Sequence, residues 1–96
     1  MNETETITLT MGQTADALGL QVMFLGGTTM WYGEDHPPKG AVALNFTHDG
    51  NAEPVSIVGQ DMWEQSHEVM GYRYRLVSPY QRDIKELTLE ISRSVH

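Results

Sequence analysis

The feature that most constrains the fold of this chain is a period-two alternation of apolar and polar residues. Isoleucine, leucine and methionine alternate with threonine over residues 6–11, and segments 20–25, 41–46 and 87–91 follow the same period. Successive side chains of a β-strand point to opposite faces of a sheet, so this period is typical of half-buried strands. Ala15–Leu20 has some helical propensity but is too short to form a helix alone. The pattern therefore predicts an all-β protein.

Turn and loop signals separate the alternating segments about every 8–12 residues, as in antiparallel sandwiches and small barrels. Asp49-Gly50 favours a tight hairpin turn, and the adjacent prolines within residues 33–40 exclude that segment from a sheet ladder. The sequence predicts seven strands. They cover residues 7–11, 20–25, 28–32, 41–46, 55–57, 69–78 and 87–91.

The length and hydrophobic content of the chain indicate one domain with a modest core. The chain has 96 residues, of which 40% are hydrophobic, and it contains no cysteine. A core of this size forms without a disulfide or a metal. We therefore expect one antiparallel β-sandwich of about seven strands, immunoglobulin-like in general shape, spanning 1–96 with an ordered core over about 5–93. The predicted core consists of Ile7, Leu9, Leu20, Val22, Phe24, Val42, Leu44, Phe46, Val55, Ile57, Tyr72, Tyr74, Leu76, Leu87, Leu89 and Ile91.

The charge distribution argues against nucleic acid as a partner. The formal net charge is −7; residues 1–72 carry ten acids and one base, whereas residues 73–96 carry five bases and three acids. Phosphate binding needs clustered lysine and arginine, which this distribution lacks. No apolar stretch approaches the roughly 18 residues of a membrane span. We expect an acidic, soluble domain whose partner is another protein.

The side chains capable of catalysis do not form a recognisable motif. Without cysteine there is no thiolate nucleophile, and Ser66 and His67 are chain neighbours that would point to opposite faces of a strand. The acidic pair Asp61 and Glu64 fits a solvated loop better than a glycosidase cleft. The sequence therefore predicts a non-catalytic domain with no cofactor.

Two aromatic clusters flank the longest predicted loops and supply the candidate binding residues. Trp31-Tyr32 precedes the proline-containing loop, and Met62-Trp63 lies in the polar segment 59–67. Exposed tryptophan, tyrosine and methionine are common anchors of protein interfaces. The alternative is that both tryptophans cap the core of the sandwich. We therefore predict an accessory domain that acts through protein contacts. Its interface anchors would be Trp31, Tyr32, Met62 and Trp63.

Metal binding by histidine and methionine is the alternative function. The chain has four histidines and six methionines, and thioether and imidazole ligands together suit copper. His36 and His67, with Met30 and Met62, would form a copper or zinc site if the fold brought them to one end. No histidine spacing typical of a metal site supports this, and methionine also fills gaps in cores.

Arg73 and Arg75 share one face of the strand predicted over residues 69–78. They would either attract an acidic partner or form cross-strand ion pairs with Glu86 or Glu90, and we favour the ion pairs. A third functional hypothesis is a structural domain that forms a homodimer through an uncovered edge strand.

Two stretches of the chain carry a spacing found in a known group of proteins. Residues 12–26 read GQTADALGLQVMFLG, and residues 71–79 read GYRYRLVSP before a final Thr/Leu strand that ends in Arg93. Over roughly residues 6–93 the chain resembles small bacterial exported or lipoprotein-type β-sandwich domains, in which a G-Q-x…G-L-x-V-x-F opening is followed by G-Y-x-x-x-L. Similar β-rich stretches occur in the extracytoplasmic parts of cytochrome c maturation proteins.

The resemblance implies a β-sandwich without catalytic residues and an extracytoplasmic location. Many domains of this group carry a cysteine pair in the middle loop, where this chain has Glu34–Pro38 (EDHPP) instead. Residues 1–11 lack the basic start and apolar stretch of an export signal. We expect an extracytoplasmic domain if an export signal has been removed, and a cytoplasmic domain otherwise.

Overall fold

The computed structural model describes residues 3–30, 33–35, 38–80 and 84–93, and most of them lie in β-strands. No helix in these ranges is long or apolar enough to cross a membrane. The elements are β1 (Thr4–Thr10), β2 (Thr14–Ala17), β3 (Leu20–Met30), β4 (Lys39–His48), β5 (Asn51–Val58), α1 (Gly59–Trp63), β6 (Ser66–Val69), β7 (Tyr72–Leu76) and β8 (Glu86–Arg93).

The strands form two antiparallel sheets of four strands each. Sheet A has the order β1-β8-β7-β6, and sheet B has the order β2-β3-β4-β5. Apart from β1, each sheet is a run of chain neighbours. Buried residues of both sheets form one hydrophobic cluster, and the rings of Phe46 in sheet B and Tyr74 in sheet A lie 4.7 Å apart. The two sheets therefore pack face to face as a β-sandwich.

The chain passes from sheet A to sheet B within the segment Met11–Gln13. The Gln13 amide donates to the Thr10 carbonyl at 3.0 Å, and Gln13 Oε1 accepts from the Thr10 amide at 3.0 Å. The Gly12 amide donates to the Phe24 carbonyl at 2.7 Å, and the Phe24 amide donates to the Gln13 carbonyl at 3.1 Å. Gly12 has a φ of +82°, which glycine adopts at low cost. This connection ties β1 to the middle of β3.

Three two-residue turns lie at one end of the sandwich, which we call the hairpin end. The turns are Leu18-Gly19, Asp49-Gly50 and Met70-Gly71, and both residues of each turn have positive φ. Such turns match the twist of antiparallel hairpins. Leu18 (φ 54°) and Met70 (φ 46°) adopt a conformation that is unfavourable for bulky residues. Their side chains pack against the core, which offsets part of this strain.

The Leu18 turn is also held by a polar network. The Leu18 carbonyl accepts hydrogen bonds from the Tyr72 hydroxyl at 2.7 Å and from Arg93 Nη2 at 2.8 Å. The Leu18 amide donates to Glu5 Oε2 at 3.1 Å. Arg93 also forms an ion pair with Glu3 at 3.6 Å. The network joins the turn of sheet B to β1, β7 and β8 of sheet A, so it helps the strained backbone persist.

Burial follows the predicted alternation closely. Every residue of the predicted core is buried except Ile7 and Val55, which are partly buried and pack against the core. Trp63, Val69 and Ile84 also belong to the core. The all-β class and the sandwich are therefore confirmed.

The predicted number of strands and the immunoglobulin-like shape are not supported. The described part of the chain contains eight strands. The predicted strand 20–25 and residues 28–30 of the predicted strand 28–32 form one strand, β3, because Gly26 creates a bulge instead of a break, and residues 31–32 lie outside the described residues. The segment 69–78 contains a turn at Met70-Gly71, with β6 before it, and β2 was missed because its sequence TADA has few residues typical of strands. Each sheet is also largely a meander, unlike the Greek key of immunoglobulin domains.

Tyr74 is a titratable side chain within the core. Its ring stacks on the ring of His67 at 5.2 Å, in addition to its contact with Phe46. Burial raises the pKa of Tyr74 from 10.0 to about 12, and the negative charge of Glu53 adds to this increase. The ionised phenolate is therefore disfavoured in the folded protein.

We predict that the stability contributed by Tyr74 falls at high pH. Its pKa in the folded state, about 12, is higher than 10.0 in the unfolded chain, so this contribution is complete below pH 10 and is lost as the pH rises towards 12. The test compares urea unfolding of the wild type and Tyr74→Phe between about pH 8 and pH 12. The wild type should lose more stability than the variant, because all other titrating groups are shared. Parallel losses in the two proteins would contradict the prediction.

Candidate functional site

The candidate site lies at the end of the sandwich opposite the hairpin end. There β3 and β4 are paired as far as Met30 and Lys39, and β5 leads through Val58 into α1. We define the loop-end surface as the residues around a shallow cavity at this end, together with the adjacent Met62. Its members are Lys39, Val58, Gly59, Gln60, Asp61, Met62 and Tyr80.

The cavity of the loop-end surface has a volume of ≈ 240 Å³ and a mixed lining. Lys39 provides an ammonium group, Asp61 a carboxylate and Gln60 an amide, while Val58 and Tyr80 provide apolar surface. A Cβ atom at Gly59 would lie 3.3 Å from Lys39 Cδ, and Gly59 has a φ of +84°. Glycine at this position therefore allows the lysine stem to pass close to the start of α1.

Tyr80 forms a fixed wall of the cavity. Its hydroxyl accepts a hydrogen bond from the Gly40 amide at 2.7 Å. Its ring makes an edge-to-face contact with the ring of Trp63, with centroids 5.5 Å apart. Tyr80 is thus positioned by the backbone of β4 on one side and by the core on the other.

Trp63, one of the four predicted anchors, lies in the core. Its side chain is only 2% exposed, and Nε1 donates to the Ser78 carbonyl at 2.8 Å. This placement corresponds to the alternative in which the tryptophan caps the core. Trp63 therefore contributes to the loop-end surface by packing against Tyr80. Its own side chain offers little area for direct contact with a partner.

Met62, the second predicted anchor described, is 39% exposed at the edge of the loop-end surface. Its carbonyl accepts a hydrogen bond from His67 Nε2 at 2.8 Å, which ties α1 to β6. Trp31 and Tyr32, the other two predicted anchors, lie outside the described residues.

Of the two histidines predicted as metal ligands, the structure describes only His67. His67 is hydrogen-bonded to the Met62 carbonyl and stacked on Tyr74. Across the ranges 3–30, 33–35, 38–80 and 84–93, no three His, Asp or Glu side chains are arranged to hold a metal ion. His36 lies outside these ranges, so the metal hypothesis stays untested.

Arg73 and Arg75 form ion pairs within sheet A. Arg75 Nη2 lies 3.5 Å from Glu90 Oε2 on β8, as predicted, whereas Arg73 Nη2 lies 3.3 Å from Glu68 Oε1 on β6. All four side chains are substantially exposed, so each pair contributes little to stability.

Sequence reasoning missed Lys39 and Tyr80 as members of the site. A signal for Lys39 was present, because it is the sole basic residue in the first 72 positions. Tyr80 had no comparable signal, since its position beside Lys39 depends on the path of the chain between β7 and β8.

Comparisons with protein-family models, with curated proteins and with solved structures gave no match. The functional assignment of the loop-end surface therefore depends on its geometry and chemistry.

We predict that Trp63→Ala lowers the free energy of unfolding by about 3–5 kcal/mol, the usual cost of removing a buried aromatic ring. Trp63→Phe retains an aromatic ring but leaves the Ser78 carbonyl without its donor, and it should cost about 1–3 kcal/mol. Met62→Ala is the control at the adjacent, more exposed position and should change stability by about 0.5 kcal/mol or less. Urea unfolding measures all three variants. Equal stability of Trp63→Ala and the wild type would show that the ring is not a core element.

Proposed function

We propose that this chain is a non-catalytic protein-binding domain that holds a short segment of a partner polypeptide on the loop-end surface. The observation that carries the proposal is the cavity lined by Lys39, Gln60 and Asp61, with the exposed Met62 following Asp61 in the short helix α1. A concave site with a few polar groups next to an apolar anchor is typical of recognition sites.

The size and chemistry of the cavity favour a peptide over a small cofactor. Its volume of ≈ 240 Å³ is below the range of about 300–1,000 Å³ that is usual for sites of drug-sized ligands. Such a volume accommodates one or two side chains. Lys39 and Gln60 can donate to peptide carbonyls, and Asp61 can accept from peptide amides. Met62 adds a flexible, polarisable side chain that adapts to different apolar partners.

The lining also favours binding over catalysis. Among the described lining residues, Lys39 and Asp61 carry charge, and the Tyr80 hydroxyl is hydrogen-bonded to the Gly40 backbone. A nucleophilic mechanism requires a nucleophile activated by an adjacent base and a third orienting group. The described lining has no serine or cysteine nucleophile and no histidine base. An accessory role also agrees with the family resemblance of the sequence.

Trp31 and Tyr32 are proposed as further anchors of the same surface. They follow Met30, which pairs with Lys39 at the end of β3. Their place in the chain puts them in the connection that leads to Lys39. Trp63 is proposed to act through Tyr80, by keeping the wall of the cavity in position.

We predict that peptides selected by the protein lose affinity when Met62 is shortened. The immobilised wild type is panned against a random twelve-residue peptide library, and the enriched peptides are measured by calorimetry. Met62→Ala should weaken their binding at least about tenfold, the effect expected of an interface anchor worth more than 1 kcal/mol. Asp61→Asn should weaken binding by a smaller factor.

Met11→Ala is the matched control for this experiment. Met11 is also exposed, at 58%, but it lies beside Gly26 near the β2 edge of sheet B, two strands away from β5. Peptides that bind wild type, Met11→Ala and Met62→Ala equally would place the binding surface elsewhere. Failure to enrich any peptide would remove the support for peptide recognition.

A further inference from the structure

The outer side of β1 offers an unpaired row of backbone groups. Among the described strands β1 pairs with β8 alone, and the Glu3 carbonyl accepts from the Arg93 amide at 3.2 Å. Hydrogen bonds in an antiparallel pair alternate along each strand, so the odd-numbered residues of β1 bond to β8. The even-numbered residues direct their N–H and C=O groups away from β8.

Only part of this outer side is satisfied within the chain. The backbone N–H and C=O of Thr10 are both bonded to Gln13. Thr4, Thr6 and Thr8 are exposed, and no partner strand of the described residues lies beside their outward backbone groups. Three consecutive outward positions are therefore open to another strand.

The other edge strands are protected against strand addition. In β5, His48 and Asn51 flank a two-residue turn and form a hydrogen-bonded pair, so the alternation places the nitrogen of Pro54 at the outer edge. Proline lacks the N–H that an added strand would need. The edge strands β2 and β6 have four residues each. β1 has seven residues, with no proline, lysine or bulge.

We propose that β1 is a dimerisation edge, at which β1 of a second copy of this chain pairs in antiparallel orientation. The two A sheets then form one continuous sheet of eight strands. Thr6 lies opposite Thr6 of the second copy, and Thr4 lies opposite Thr8 on each side of the two-fold axis. Each of these three pairs exchanges two N–H···O bonds. This proposal is independent of peptide binding at the loop-end surface.

The sequence of β1 favours this register over its neighbours. A shift in one direction would place Glu5 directly opposite Glu5 of the second copy, and like charges in that position are destabilising. A shift in the other direction would use Thr10, whose backbone is already bonded to Gln13. In the proposed register Glu5 faces Ile7. The threonines share the exposed face and form Thr–Thr cross-strand pairs, which are favourable.

A strand that is complementary to itself in its best register fits a second copy of the chain. A two-fold axis makes each off-axis contact occur twice, so the favourable Thr4–Thr8 pair forms on both sides of the central Thr6–Thr6 pair. An unrelated strand would gain the backbone bonds without this matched set of side chains. The open edge is also confined to the side of β1, so association ends at two copies.

Sedimentation equilibrium and amide exchange test the dimer without any substitution. The mass should approach twice 10.8 kDa as concentration rises to the near-millimolar range. Over the same range the amides of Thr4, Thr6 and Thr8 should become protected at least tenfold. The outward-facing amides of Ala52 and Ser56 on β5 are internal controls and should exchange at a constant rate. A monomer of constant mass with unchanged exchange at β1 overturns the proposal.

Single cysteines in this cysteine-free chain test the register. Residues opposite each other in a hydrogen-bonded pair have Cα atoms about 5.5 Å apart, within disulfide range. Thr6→Cys should therefore form a covalent dimer on mild oxidation. Thr4→Cys alone should react much more slowly, whereas an equal mixture of Thr4→Cys and Thr8→Cys should cross-link efficiently. Cross-linking of Thr4→Cys alone at the rate of Thr6→Cys overturns the register.

Proline on β1 should dissociate the dimer. Thr6→Pro removes the central outward N–H and should weaken association at least tenfold, and Pro54 shows that an edge strand of this fold accepts proline at such a position. Ala52→Pro, at an outward position of β5, is the matched control and should leave the mass unchanged. A Thr6→Pro variant that folds and remains dimeric overturns the proposal. If it does not fold, exchange and cross-linking decide.

Discussion

The connection at Met11–Gln13 is the constraint on which the sandwich depends. A chain that must leave one sheet and enter the other within this segment can do so only where the sheets approach closely, and the bonds between Gly12, Gln13 and Phe24 set that place. β1, before this connection, pairs with β8, and β2, after it, pairs with β3. The connection therefore fixes the strand registers of the two sheets relative to each other. The aligned faces bring Phe46 onto Tyr74 and close the core.

The extent to which the fold follows from sequence is clear from particular elements. Burial alternates strictly in β8, and all three of its buried residues were predicted. In β4 the buried Val42, Leu44 and Phe46 were predicted, but the buried Ala41 was not, because it breaks the alternation. The turns were harder, because Leu18 and Met70 occupy positions where glycine, asparagine and aspartate are usual. Local propensity therefore argued against those turns, and only the packing and hydrogen bonds supplied by the rest of the sandwich stabilise them.

The candidate site was less accessible to sequence reasoning, because its members come from β4, α1 and the segment after β7. Met62 and Trp63 were identified by residue type, yet adjacent positions of one short helix have different environments: Met62 faces solvent and Trp63 enters the core.

The proposed dimer would extend the function of this site. Antiparallel pairing of β1 directs the two loop-end surfaces in opposite directions, so one dimer could bridge two partner chains.

The pairing of β1 with β8 has a kinetic consequence. Every other pair of hydrogen-bonded strands consists of chain neighbours separated by at most nine residues, whereas Thr8 and Thr88 meet across 80 positions of sequence. Contacts of such separation incur the largest loss of chain entropy and form late in folding. We expect a nascent chain to complete both meanders before β1 docks. During that interval β8 exposes an unpaired strand edge, and this edge stays open to wrong strand pairing until β1 docks.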